Sequence, residues 1–237
     1  MKKRTVLYDL DDTLVAFAAV RESSWLQACH EYHRGNRRIA VRKMFAAIRK
    51  HNDMYWSDEK NHREGRLALE AARRKVVSDA FSELGLPSKD ARMLAVRYSI
   101  VRMEKMYLLP GAARTLQFLL DRHYEMALIT NGDSDTQRKK IERFAIAKYF
   151  KHILIEEELG YGKPDQRIYL EALSRLDASP EESWMVGDNV SLDIAAPQSL
   201  GIRGIWHDPD RIGLPVTAPA VPFRIIHTIP EILKILK

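Results

Sequence analysis

Residues 4–14 read RTVLYDLDDTL, a short apolar run that passes directly into an acidic cluster. The run 4–8 is β-branched and apolar, and it predicts a buried strand. The acidic cluster that begins at Asp9 indicates a functional loop at the end of that strand. Because open parallel sheets bind ligands beyond the carboxyl ends of their strands, this stretch predicts that a site lies beside the first strand.

A regular alternation of helix and strand follows Leu109-Pro110-Gly111. Strands are predicted at 126–129, 152–155, 183–186 and 202–206, with helices at 112–122, from near Asp135, at 164–176 and at 192–200. An edge strand at 223–226 and a last helix ending at Lys237 are predicted to follow. Such alternation is typical of a parallel sheet covered on both faces. The predicted fold class is therefore α/β, a doubly wound, mainly parallel, Rossmann-like sheet.

A long helical segment interrupts this pattern directly after the first strand. Within it, Trp25, Cys29 and Tyr32 share one helix face. The predicted domains are a Rossmann-like core, 1–14 with 109–237, and an inserted α-helical cap domain, 15–108. An insertion at this point is expected to overhang the site as a lid.

Composition places the chain among globular proteins, with 237 residues, 46% of them hydrophobic and 30% charged. Its single cysteine, Cys29, excludes an internal disulfide and suits a reducing compartment. Asp9, Asp11 and Asp12 interrupt the first apolar stretch, so a secretory signal is not expected. Nor does any apolar run approach the roughly 18 residues of a membrane span. We expect a cytoplasmic protein with no membrane partner.

The net charge of +6 is unevenly distributed along the chain. Residues 20–107 contain 19 Lys and Arg against 11 Asp and Glu. A basic surface can attract nucleic acid, but no nucleic-acid motif or array of aromatic and basic residues accompanies it. A solvated helix surface is the favoured interpretation, attraction of small anions is the second, and no nucleic-acid polymer is expected as a partner.

Four polar motifs follow predicted strands or lie in adjacent loops. They are Asp9-Leu10-Asp11-Asp12-Thr13, Thr130-Asn131-Gly132, Gly162-Lys163-Pro164-Asp165, and Gly187-Asp188-Asn189 followed by Asp193. Each alone has an ordinary explanation: a metal-binding loop, an Asn-Gly turn or a helix start. Their order and their common placement at strand ends make independent accident improbable. Together they predict one active site.

These motifs resemble those of the haloacid dehalogenase superfamily. The four family motifs are matched in order by LYDLDDTL, LITNGDSDTQRKKIE, GYGKPDQRIY and WMVGDNVSLDI. The resemblance covers 4–14 and 109–237, whereas the cap matches only by its position and its helical character. The implied members are those with a helical cap after the first motif.

The resemblance implies a role for four aspartates of these motifs. Asp9 would be the nucleophile and a Mg²⁺ ligand, since a carboxylate can attack phosphorus and form an aspartyl-phosphate. Asp11 would protonate the leaving alcohol and then activate water, while its backbone carbonyl contacts the metal. Asp188 would supply another oxygen ligand of the kind Mg²⁺ prefers. Asp193 is expected to order a metal-bound water or another side chain rather than to bind the ion directly, although the sequence leaves both open.

The remaining motif residues are expected to contact the phosphate. Thr130 offers a hydroxyl, and the Asn131-Gly132 turn offers backbone N–H groups suited to phosphate oxygens. Lys163 is a point cation that can compensate Asp9 and the transferring phosphoryl group. The ordinary alternatives are a strand terminus for Thr130 and a surface lysine for Lys163.

Two positions in the first motif bear on the type of reaction. Family members that cleave carbon–halogen bonds lack the second catalytic aspartate, and members that cleave phosphonates have a small residue there, whereas this chain has Asp11. Asp12 fills a position often taken by glycine, so its carboxylate is expected to turn away from phosphate.

The resemblance therefore implies a Mg²⁺-dependent phosphomonoesterase. The stretch TNGDSDTQRKKIE resembles members acting on nucleoside monophosphates and on acylneuraminate 9-phosphate, so the expected substrate is a small phosphorylated metabolite, a nucleoside monophosphate or a sugar phosphate. Two alternatives remain: a phosphotransferase that uses the same aspartyl-phosphate, and a phosphate-binding regulatory or interaction protein with little turnover.

Overall fold

Six parallel strands form a single sheet in the computed structural model, which describes residues 4–35 and 38–236. The strands are β1 (Thr5–Tyr8), β2 (Glu125–Thr130), β3 (His152–Ile155), β4 (Ser183–Gly187), β5 (Arg203–His207) and β6 (Arg224–Ile226). Their spatial order is β3-β2-β1-β4-β5-β6, and every neighbouring pair is parallel. The chain extends outward from β1 in both directions, which confirms the predicted doubly wound α/β fold.

Ten α-helices are described in the same residues. They are α1 (Arg21–Gly35), α2 (Val41–Ser57), α3 (Glu59–Gly65), α4 (Leu69–Glu83), α5 (Ala91–Lys105), α6 (Ala112–Asp121), α7 (Ser134–Arg143), α8 (Glu156–Leu159), α9 (Gln166–Leu176) and α10 (Ala196–Gln198). Helix α9 buries Ile168, Tyr169 and Ala172 in the cluster that includes Leu7 of β1 and Met185 of β4. This apolar packing explains why β1 reads as a continuous hydrophobic run.

Two predicted helices take other forms. The helix predicted at 192–200 is a π-helical turn, Val190–Ala195, followed by the short α10. The turn begins early because the Asn189 side chain accepts the N–H groups of Ser191 and Leu192, both at 3.0 Å. The last helix is a 3₁₀ helix, Ile229–Lys234, and its predicted end at Lys237 lies outside the described residues.

The chain divides into two compact units. One contains the residues up to Ala16 and those from Tyr107 onward, and the other is Phe17–Met106. The sequence-based limits of the cap, 15 and 108, each differ from this division by two residues. The reason is that the two connecting segments pair with each other inside the sheet-containing unit: Leu109 N donates to Leu14 O, and Ala16 N donates to Tyr107 O, each at 2.9 Å.

The helical unit has a core of its own. Helices α1, α2, α4 and α5 pack around a buried cluster in which Trp25 stacks on Tyr98 with ring centroids 3.5 Å apart. Cys29 is fully buried in this cluster, and its burial raises the pKa of the thiol to about 12. The cysteine is therefore a packing residue. Among the described residues, no helix has the length and apolar character that crossing a membrane requires.

The strand order determines where a ligand site can form. Within the sheet, β1 has β2 as its neighbour on one side and β4 as its neighbour on the other. In open sheets of this kind, ligands bind at the carboxyl ends of the strands where the strand order reverses, so the loops that follow β1 and β4 are the expected place for a site.

Candidate active site

Asp9 lies at the carboxyl end of the central strand. Its backbone N–H donates to Val186 O of β4 at 2.9 Å, so the sheet register fixes its position. The Asp9 side chain is buried, and its Oδ2 accepts a hydrogen bond from the Thr13 hydroxyl at 3.2 Å. The same hydroxyl lies 3.5 Å from Oδ1 of Asp188, which follows β4. Thr13 thus connects the two acidic loops that the strand order places side by side.

Lys163 neutralises part of this acidic group. Its Nζ lies 2.6 Å from Asp9 Oδ1 and 2.6 Å from Asp193 Oδ1. Burial disfavours the charged form, but the attraction of Asp193 and Asp9 outweighs it and raises the pKa of Lys163. Lys163 is therefore a protonated, buried cation in contact with Asp9.

Asp193 depends on the absence of a side chain at position 187. Its Oδ2 accepts the backbone N–H of Asn189 at 3.0 Å, and its Oδ1 binds Lys163. A Cβ atom on Gly187 would lie 2.2 Å from Asp193 Cγ. The glycine therefore leaves the space in which Asp193 reaches Lys163.

We expect Gly187→Ala to damage both stability and activity. The added methyl group must displace Asp193, which is fully buried, so overpacking should cost about 1–3 kcal/mol of unfolding free energy. Thermal denaturation measures this loss, and the activity should fall because Lys163 loses a partner. Gly35→Ala is the matched control, since a Cβ there meets nothing within 4 Å. Equal melting temperatures for the two variants would contradict the packing argument.

The acidic group fits a divalent cation. Carboxylate oxygens of Asp9, Asp188 and Asp193 lie within 4.8 Å of one another. The ammonium of Lys163 contacts two of these three side chains, Asp9 and Asp193. Burial, with the charge of neighbouring aspartates, raises the pKa of Asp9 above its ordinary value, although Lys163 opposes the shift. The same causes raise the pKa of Asp188 well above its ordinary value. The uncompensated charge and the hard oxygen donors match the requirements of Mg²⁺.

The second and third motifs are joined by one side chain. The Asn131 amide donates to Lys163 O at 2.7 Å and accepts the Lys163 N–H at 2.8 Å. The N–H of Gly132 donates to Glu156 Oε2 at 2.9 Å. The structure thus gives the Asn131 side chain and the Gly132 N–H protein partners, and their contact with phosphate stays a prediction. Glu156 directly follows β3, so its place after a strand was the signal that could have found it.

Two residues of α7 that sequence reasoning did not single out contact Asp11. Lys140 Nζ lies 2.8 Å and 2.7 Å from the two carboxylate oxygens of Asp11. Gln137 Nε2 lies 3.2 Å from Asp11 Oδ2 and also donates to the Thr130 hydroxyl. The three-residue spacing of Gln137 and Lys140 places them on one helix face, and this spacing was the available signal.

The end of β5 supports both acidic loops. The Trp206 indole N–H donates to the backbone carbonyl of Asp188 at 2.7 Å. His207 Nδ1 lies 3.0 Å from the backbone carbonyl of Asp12, and burial lowers the pKa of His207. Strand β5 was predicted, but the pattern gave no indication that these two side chains contact the loops.

Comparison with protein families and solved structures gives a consistent result. The profile of haloacid dehalogenase-like hydrolases matches residues 3–201. The phosphoserine phosphatase of Thermus thermophilus is 37% identical over 137 residues, which cover 57% of this chain and 54% of that protein. The chain thus spans about half the length of that relative.

Two further similarities extend over most of the chain. The pyrimidine 5'-nucleotidase PynA of Streptococcus pneumoniae is 29% identical over 215 residues, covering 87% of this chain and 84% of that protein. The crystal structure of the HAD-hydrolase YfnB of Bacillus subtilis, bound to magnesium, superposes with a TM-score of 0.76 at 25% identity and covers 100% of both chains.

Proposed function

This chain belongs to the haloacid dehalogenase-like hydrolases, and from that premise we propose that it is a magnesium-dependent phosphomonoesterase acting on a small phosphorylated metabolite. One observation carries the proposal. Asp9 is buried at the end of β1, where the strand order of the sheet reverses, and the Nζ atom of Lys163 lies 2.6 Å from its Oδ1. Asp11, the candidate for proton transfer, follows two residues later in the sequence. The contact between the proposed nucleophile and a charge-compensating cation, with a candidate acid two residues later, supports the proposal.

In the first half-reaction, a carboxylate oxygen of Asp9 attacks the phosphorus of the monoester. A P–O bond to Asp9 forms while the P–O bond to the alcohol breaks, and protonated Asp11 gives its proton to the departing oxygen. Lys163, already in contact with Asp9, stabilises the charge on the transferring group. Asp11 distinguishes this chemistry from cleavage of a carbon–halogen bond, which needs no proton donor for its leaving group.

In the second half-reaction, water attacks the phosphorus of the aspartyl-phosphate. Asp11, now a carboxylate, takes the proton of that water, the P–O bond to Asp9 breaks, and phosphate leaves. Both residues regain their starting protonation states, so the cycle needs no other reactant. Thr13, which donates to Asp9 Oδ2 at 3.2 Å, holds the nucleophile through both steps.

Asp9, Asp188 and the backbone carbonyl of Asp11 would hold Mg²⁺. When bound, the ion supplies positive charge that offsets the acidic group and the phosphate dianion. The proximity of the Asp9 and Asp188 oxygens supports this assignment, as does the magnesium-bound state of YfnB. Asp193, engaged by Lys163 and Asn189, orders the surrounding groups.

The proposed substrate class is a nucleoside monophosphate or a sugar phosphate. The relatives support small monoesters, since one is a phosphoserine phosphatase and another a pyrimidine 5'-nucleotidase. We attribute the choice among them to the helical unit, Phe17–Met106, because all the proposed catalytic residues lie outside it.

A phosphate-release screen tests the proposed function. Purified protein is incubated with nucleoside monophosphates, sugar phosphates, phosphoserine and p-nitrophenyl phosphate, with and without Mg²⁺. We expect at least one of these monoesters to be hydrolysed and the turnover to require Mg²⁺. Binding of phosphate without hydrolysis of any monoester would instead favour the regulatory alternative.

A further inference from the structure

Lys140 is a buried cation on a helix that is otherwise strongly polar. Helix α7, SDTQRKKIER, begins with the Asp133 side chain accepting the Thr136 N–H at 2.8 Å. The Lys140 side chain is 1% exposed, and the carboxylate it contacts, Asp11, is 24% exposed. A buried ammonium is unfavourable unless it is paired and hydrogen-bonded, so Lys140 is stable here because it binds both oxygens of Asp11.

Gln137 supports the same carboxylate from one helical turn earlier. Its Nε2 lies 3.2 Å from Asp11 Oδ2 and 3.0 Å from the backbone carbonyl of Asn131. It also donates to the hydroxyl of Thr130, the residue predicted to contact phosphate. Gln137 is itself buried. These contacts fix the Asp11 side chain relative to the end of β2.

Two of the three aspartates of the first motif, Asp9 and Asp11, are therefore held by different lysines. Asp9 is bound by Lys163, which comes from the loop before α9, and Asp11 is bound by Lys140 from α7. Side chains two residues apart are thus directed to different partners. This separation matters because the proposed mechanism gives them different tasks.

We propose that Lys140 is a positioning residue that acts through Asp11. By hydrogen-bonding the Asp11 carboxyl group, Lys140 fixes its side-chain rotamer. In the first step, when Asp11 is protonated, Lys140 holds the unprotonated oxygen and the O–H of the other oxygen faces the leaving oxygen; in the second step, Lys140 holds the carboxylate as it faces the attacking water. The inference rests on the proposed function, since the role of Asp11 belongs to it. Lys140 itself transfers no proton and does not touch the substrate.

A purely structural ion pair would have different consequences. If Lys140 only attached α7 to the loop, its loss would lower stability and slow every substrate alike. If Lys140 positions Asp11, its removal should slow a step more, the more that step depends on proton transfer. An aliphatic alcohol needs a proton when it leaves, whereas p-nitrophenol leaves readily as the anion.

The test compares Lys140→Met with the wild type on two monoesters. On the aliphatic monoester that the wild type hydrolyses fastest, we expect kcat/KM to fall about 10²-fold, the lower end of what general acid catalysis contributes. On p-nitrophenyl phosphate, release of the first p-nitrophenol should change little, because p-nitrophenol leaves without a proton. The water attack on the aspartyl-phosphate should then be slow, because it needs Asp11 as a base. Rapid mixing should therefore record a burst of one p-nitrophenol per enzyme before a slower steady state.

Three further variants separate positioning from structure. Lys139→Met is the matched control, because Lys139 is 62% exposed and pairs with the surface residue Asp135. Lys140→Arg keeps the charge and a two-oxygen contact, so it should recover most of the activity. Asp11→Asn removes the group through which Lys140 acts, so adding Lys140→Met to it should slow p-nitrophenol release no further.

The outcomes distinguish this inference from the proposed function. If the wild type hydrolyses monoesters but Lys140→Met slows both esters equally, or slows Asp11→Asn further, the positioning role is wrong and the phosphatase assignment stands. If the wild type hydrolyses no monoester, the proposed function fails and the role of Lys140 fails with it. If Lys140→Met does not fold, Lys140→Gln, which keeps a polar group in the same space, provides the comparison.

Discussion

Asp9→Asn should abolish phosphatase turnover while leaving the fold intact. The amide has nearly the same shape as the carboxylate, but it cannot form the aspartyl-phosphate, so kcat should fall by a factor on the order of 10⁴ or more. Stability should be kept, because Lys163 retains Asp193 as a partner at 2.6 Å. Phosphate release and thermal denaturation together measure the result.

Asp12→Asn is the matched control for this experiment. It makes the same change three residues later, at a backbone φ of 57°, which asparagine tolerates well. We expect its activity to stay within a few-fold of the wild type. Equal loss in both variants would show that general disturbance of the loop, and not removal of the nucleophile, caused the effect at Asp9.

Removal of the metal should have the second largest effect. Treatment with EDTA should lower turnover by a factor on the order of 10³, the equivalent of several kcal/mol of charge stabilisation, and added Mg²⁺ should restore it. Asp188→Asn should raise the Mg²⁺ concentration needed for half-maximal activity, because it removes a charged ligand from the group with Asp9 and Asp193. Titration of activity against Mg²⁺ measures the shift.

Two comparisons control the metal experiment. Asp135→Asn removes an exposed carboxylate that pairs with Lys139, and it should leave the Mg²⁺ dependence unchanged. Calcium should support little activity, because its bonds to oxygen are longer and its coordination number is larger than those of Mg²⁺. Full activity in EDTA, or equal turnover with both ions, would contradict the assigned metal site.

The sheet was predictable because each central strand is a buried run with a clear end. The predicted strand 152–155 coincides with β3, and the predicted run 4–8 differs from β1 by one residue. The segment after β4 was less predictable. Its π-helical turn depends on two side-chain contacts of Asn189, which hydrophobic periodicity does not reveal.

The site was predictable only for residues that directly follow strands or occupy compact motifs. Asp9 and Asp188 directly follow β1 and β4, and the parallel pairing of those strands brings them together. Lys140 lies ten residues beyond β2 on a polar helix, where a lysine is ordinarily solvated. Its three-residue spacing from Gln137 was the only signal that set it apart from Lys139, and only the folded chain shows that this helix face places the ammonium against Asp11.

The central claim is that Asp9 carries the phosphoryl group during turnover, and chemical trapping tests it most directly. Enzyme is quenched in acid during hydrolysis of its best monoester with Mg²⁺, and borohydride then reduces any aspartyl-phosphate to homoserine. Peptide mapping by mass spectrometry should find homoserine at position 9, only in samples that contained substrate. Homoserine at position 11 or 188 would contradict the account. So would its absence from every position in samples in which a burst of product shows that a covalent intermediate has accumulated.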